Sequence, residues 1–126
     1  PEDIVVVNIN PLERDEVPKS PQQIHNRINE ISFNSSLLRE LRAISFVQRL
    51  LSEGRMERGE MQRVLVHMIA DDPLMRSLSS ATKMLPMPIV LDRLKAAGRA
   101  AADRFLAAHK ADLGLRSSVD LQAMFG

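Results

Sequence analysis

Residues 3–10 read DIVVVNIN, with β-branched Ile4, Val5, Val6, Val7 and Ile9 placing five apolar side chains in six positions. A run of this kind suits a strand covered on both faces, as in a parallel sheet, better than a strand with one wet face. Such a strand needs neighbouring strands beside it and helices above and below. A chain that opens on Pro1, just ahead of that strand, reads as the tail of a larger protein.

The rest of the composition narrows the options. At 126 residues with 44% hydrophobic side chains, the chain is long enough for one packed domain over residues 1–126, and disorder is not expected. Four Phe, with no Tyr or Trp, leave few platforms for stacking single-stranded bases. Seventeen basic residues against sixteen acidic ones give a net charge of +1, too weak a field to gather polyanions, so nucleic acid is not an expected partner. The absence of cysteine removes disulfides, thiolate metal sites and a cysteine nucleophile, and fits a reducing, cytoplasmic setting. No apolar run approaches the roughly 20 residues of a membrane span, which leaves peripheral membrane contact as the only membrane expectation.

After the first strand, Pro11, Pro18 and Pro21 bracket the charged stretch LERDEV, a solvated loop. Ser20 precedes Pro21 and stands three residues before Gln23, the pattern of a capping box. Ile24, Ile28, Ile31, Leu38, Leu41, Ile44, Val47 and Leu51 then recur at helical spacing, and Gly54 marks the stop. One unbroken helix from Pro21 to Glu53 would be about 50 Å long. A compact domain of this size is only about 36 Å across. The cluster Asn34-Ser35-Ser36 is the expected break, because these side chains compete for backbone hydrogen bonds.

The charged bridge MERGEMQ over residues 56–62 leads to RVLVHMIA over 63–70, a second strand. Strand, helix, strand predicts a right-handed crossover with parallel strands. Asp71-Asp72-Pro73 ends that strand. Residues 74–88 read as irregular, with Ser77, Ser79 and Ser80 in a polar patch and a short helical turn at Leu74–Leu78. A last long helix spans about Ile89 to Asp112, with Leu91, Leu94, Ala97, Ala101, Phe105 and Ala108 on one face and Gly114 as its cap. Residues 117–126 carry a final helical turn. The expected fold class is therefore α/β and helix-rich, a partial doubly wound sheet. Two strands leave an unpaired edge, which invites self-association.

Candidate chemistry is thin. Serines, His25, His67 and His109, and Asp71 and Asp72 supply the residue types of a serine triad, but no Gly-x-Ser-x-Gly elbow presents a nucleophile. His67 lies in an apolar strand, where a histidine covered by a helix or bonded to backbone is the simpler expectation; a metal site through His67, Asp71 and Asp72 is a weak signal. His25 and His109 fall on polar helix faces without partners at ligand spacing. Arg39, Arg42, Arg49, Arg55, Arg58 and Arg63 interleave with Glu30, Glu40, Glu53, Glu57 and Glu60, a mixed-charge solvated face rather than a phosphate site. Asn8 and Asn10 flank the end of the first strand, where a buried amide orients a neighbouring loop. Of seven methionines, four lie between Met68 and Met87, either as gap-fillers or as an apolar groove for acyl chains.

DIVVVNINPLERDEVPKS, followed by IHNRINEISFNSSLLRELRAISFVQRLLSEGR, resembles the C-terminal third of bacterial patatin-like phospholipases, with NRINEISFNSSLLRELRAI the most specific block. RVLVHMI, GRAAADRFLAAH and DLGLRSSVDLQAMF extend the resemblance over essentially the whole chain. It implies the β-α-β-α tail of a three-layer α/β acyl hydrolase that uses a Ser–Asp dyad, an elbow serine and an Asp-Gly turn, with a glycine-rich oxyanion loop. None of those motifs occurs in these residues, so the resemblance carries over no catalytic residue, no cofactor and no metal ligand. It implies a non-catalytic scaffold and acyl-chain wall, a lipid or ester substrate reached only through the parent enzyme, and a cytoplasmic or membrane-peripheral location. The rival expectation is a non-enzymatic interaction module that dimerises or binds a partner through the 21–53 helix.

Overall fold

The computed structural model describes residues 2–57, 59, 61–78, 82 and 85–126. Expectations that fall on Arg58, Glu60, Ser79, Ser80 and Met84 lie outside the described residues. Strand β1 (Asp3–Asn8) is followed by helix α1 (Pro21–Ser52), strand β2 (Leu65–Ala70), a short helix α2 (Asp72–Ser77), helix α3 (Pro88–His109), a 3-10 turn (Lys110–Asp112) and a short helix α4 (Leu121–Phe125).

The crossover is as the sequence predicts: β1 and β2 pair in parallel, from Asp3 opposite Leu65 to Asn8 opposite Ala70. They form a two-stranded sheet among the described residues. The far edge of β2 is covered by the chain's last segment. Ser118 and Val119 both donate their amides to Val66 O (3.1 and 3.3 Å), and Val66 N donates to Ser117 Oγ (3.0 Å).

Both ends of α1 have local causes. Ser20 accepts from Gln23 N at 3.2 Å while Gln23 Oε1 accepts from Ser20 N at 3.2 Å, a closed capping box. At the other end Arg55 N donates to Leu50 O and Gly54 N to Leu51 O, with Gly54 at φ 67. That is a Schellman stop, and the left-handed backbone it needs suits glycine.

Two expectations are corrected. The helix is one continuous element of 32 residues, about 48 Å long, with no break at Asn34-Ser35-Ser36. Asn34 does not compete with its own backbone, because its amide donates to Pro11 O, 23 residues away, at 3.0 Å. Ser35 Oγ donates to Ser32 O within the helix, which tolerates it. Nor is β1 covered on both faces: Ile4, on one face, is 43% exposed, and Val5 and Val7, on the other, are 45% and 67% exposed.

The core sits to one side. Leu41 of α1, Val66 of β2 and Leu121 of α4 are buried together, ringed by Leu37, Ile44, Val64, Met68, Val119 and Phe125. The second half of α1 therefore packs, while Ile24, Ile28, Ile31 and Phe33 of its first half face outward. Helix α3 divides the same way. Ala101 and Phe105 are buried, Leu94 and Ala97 are half-buried, and Leu91 and Ala108 are exposed. A final turn forms over Leu121–Phe125, as predicted, capped by Asp120 accepting from Ala123 N at 2.9 Å.

Candidate functional site

His67, in the middle of β2, is completely buried, with the Phe105 ring meeting it edge-on at 6.0 Å. Its Nε2 lies 2.9 Å from Asp3 Oδ1 and its Nδ1 lies 2.9 Å from Ser118 Oγ. The same Asp3 oxygen accepts the Gly114 amide at 2.9 Å. That backbone bond, and after it the bond to His67, hold the Asp3 carboxyl below the usual carboxylate range. An ionised Asp3 only accepts, so Nε2–H donates to it, while the Ser118 hydroxyl, able to donate or accept, partners Nδ1.

A serine, a histidine and an aspartate thus meet, drawn from positions 3, 67 and 118, and sequence reasoning did not find them. The histidine is covered by a helix, as expected. Its polar partners were not legible, because Ser118 and Asp3 stand 51 and 64 residues away from it in the chain. The geometry serves fastening better than nucleophilic attack. The amides of Ser118 and Val119 are taken up by Val66 O, so they do not point at a developing oxyanion, and Ser118 follows no strand-to-helix elbow. The three side chains tie the start of β1, the middle of β2 and the segment after α3 together. A buried histidine with both nitrogens bonded satisfies the requirement that buried polar groups have partners.

A second polar cluster lies around α1. Glu30, expected on a solvated face, is only 1% exposed and takes Arg14 through Nε at 2.7 Å and Nη2 at 2.5 Å, with Arg27 Nη1 at 3.3 Å. Glu30 in turn raises the Arg14 guanidinium above its ordinary value. Arg14 also reaches Arg76 O at 3.3 Å, joining the loop before α1 to α2. Asn8 Nδ2 donates to Asn10 O at 2.8 Å and both residues are buried, so this end of β1 is fixed by amides as predicted. Asn34 Oδ1 and Asp72 Oδ1 are buried with no donor among the described residues.

His67, Asp71 and Asp72 do not form a metal centre. Asp71 caps α2 by accepting from Leu74 N at 3.2 Å and meets Arg104 at 3.6 Å, while His67 faces Asp3. Among the described residues no group of three His, Cys, Asp or Glu is placed to hold a metal ion. His109 has a partner that its sequence position did not suggest: Nδ1 lies 2.9 Å from Asp112 Oδ2. That contact, with Arg116 on the other oxygen at 2.6 Å, lowers the Asp112 carboxyl. Among the described residues no helix is long and apolar enough to cross a membrane. Comparison with protein-family models, curated proteins and solved structures finds no match.

Proposed function

We propose that this chain is the C-terminal, non-catalytic portion of a patatin-like lipid acyl hydrolase, a hydrolase of phospholipid or other ester substrates. In this reading it supplies late strands of a three-layer sheet, the helices that cover them, and part of the wall along the acyl chain. The observation that carries the proposal is the open parallel sheet. Among the described residues β1 presents an unpaired edge and three exposed apolar side chains, and the first halves of α1 and α3 carry further exposed apolar side chains. Exposed apolar surface of this extent marks a place where more protein sits.

Two further observations support it. The blocks that carry the family resemblance hold each other: Arg14 and Pro11 of the first bond Glu30 and Asn34 of the second. The orphan oxygens of Asn34 and Asp72 are suited to donors from an adjoining part of the parent protein.

The test compares the 126-residue chain with the product of the full open reading frame. The expected result is hydrolysis of a nitrophenyl ester by the longer product only, with a fluorophosphonate attached to an elbow serine upstream of Pro1. Fluorophosphonate capture by Ser118 in the 126-residue chain, with ester turnover that Ser118→Ala abolishes, would overturn it and make the buried Ser–His–Asp set a catalytic one.

A further inference from the structure

A groove of about 1150 Å³ runs between the second half of α1, the segment entering β2 and α4, at the amino ends of the strands. Its charge is one-sided. Arg42, Arg49 and Arg63 line it, and Glu2 is the one acidic side chain among the described lining residues. None of the three arginines makes an ion pair among the described residues. The Arg42 guanidinium lies over the Phe125 ring at 5.4 Å and that of Arg49 over Phe46 at 5.5 Å. Stacking holds a guanidinium by its face and leaves the N–H donors at its edge open to a carboxylate.

We propose that this groove docks an acidic amphipathic helix from a protein partner, with carboxylates two turns apart. Arg42 and Arg49 are seven residues apart on α1, a rise of about 10.5 Å. Carboxylates at i and i+7 of a docked helix repeat at the same interval and on nearly the same face, so each arginine can meet one of them. Between them the groove offers Phe46, and Phe125 and Leu65 beyond it, as the apolar floor on which the partner's apolar stripe rests. The groove is larger than the roughly 300–1,000 Å³ typical of small-molecule sites, and arginine with aromatic side chains is the composition of interface anchors. The assignment stands apart from the proposed hydrolase scaffold, since it uses neither the open edge of β1 nor any ester chemistry.

Fluorescence anisotropy with the full 126-residue chain tests it. The probe is a labelled helical peptide with Glu at two-turn intervals and Leu and Phe between them; the control carries Lys in place of each Glu. The acidic peptide is expected to bind at least about tenfold more tightly than the control, and to weaken as salt rises from about 50 to 500 mM. Arg42→Glu with Arg49→Glu, both exposed positions, should abolish that preference or reverse it, with helicity by circular dichroism unchanged. Should the double variant misfold, Arg42→Gln with Arg49→Gln must still cost the acidic peptide about tenfold. Equal binding of the two peptides, retained affinity in folded variants, or displacement of the peptide by monomeric dodecanoate would overturn the assignment, the last in favour of a lipid carboxylate.

Discussion

Replacing Glu30 by glutamine probes a carboxylate buried among the described residues. The carboxylate is 1% exposed and takes two N–H groups of Arg14 and one of Arg27. Removing one partner of a buried ion pair costs about 3–5 kcal/mol when the charge left behind stays buried. Here the charges left behind are guanidiniums about a quarter exposed, at 25% and 23%, and both can turn toward water. A glutamine oxygen at the Oε2 position also still accepts from Arg14 Nε and Arg27 Nη1. The expected loss is therefore lower, about 2–3 kcal/mol. A chain of this length has an unfolding entropy of about 0.26 kcal/mol/K at its midpoint, so the melting temperature should fall by about 8–11 °C. Thermal and urea unfolding followed at 222 nm measure it, with an unchanged urea slope showing that the unfolded state is not the cause. Arg14→Met should fail to add to Glu30→Gln, because the two remove the same contact. A drop under about 2 °C, or additive effects of the two substitutions, would refute the view that this pair holds the pre-helix loop on α1.

The acid limb of stability should run through Asp3 and Asp112. Both carboxyls are lowered in the folded chain, so their contribution is complete above the unfolded value near 3.9 and is lost as pH falls through the folded value. Melting temperatures from about pH 5 downward should fall less steeply for Asp3→Asn and Asp112→Asn than for the parent; an identical slope in all three would contradict the assignment. Ser20→Ala opens the capping box and should cost about 1 kcal/mol, with the loss of helicity confined to the start of α1 and read by amide exchange at Gln23 and Ile24.

Local rules made much of this fold legible. The β-branched run marked β1 and a mostly apolar stretch marked β2, Ser20 with Gln23 fixed the start of α1, and Gly54 fixed its end. The parallel pairing followed from strand, helix, strand. What sequence reading missed is held by distant partners. Asn34 looked like a helix breaker because its amide acceptor, Pro11 O, is not a neighbour in the chain. Glu30 looked like one more surface charge because Arg14 comes from the preceding loop. Periodicity grouped the exposed Ile24, Ile28 and Ile31 with the buried Leu41 in one helical pattern, because it reports spacing and not whether anything covers a side chain. The Asp3–His67–Ser118 set needed three segments brought to one point, and only the residue types were visible beforehand.

The covering of β2 by residues 117–119 has a consequence for synthesis. Chains emerge from the ribosome in order, at about 5–20 residues per second. The pair β1–β2 can form once residue 70 is free, but Ser117, Ser118 and Leu121 must follow before the β2 edge is capped and the core closed. For several seconds the nascent sheet therefore exposes both edges and an incomplete apolar core, the interval in which a chaperone or an adjoining domain has most to shield.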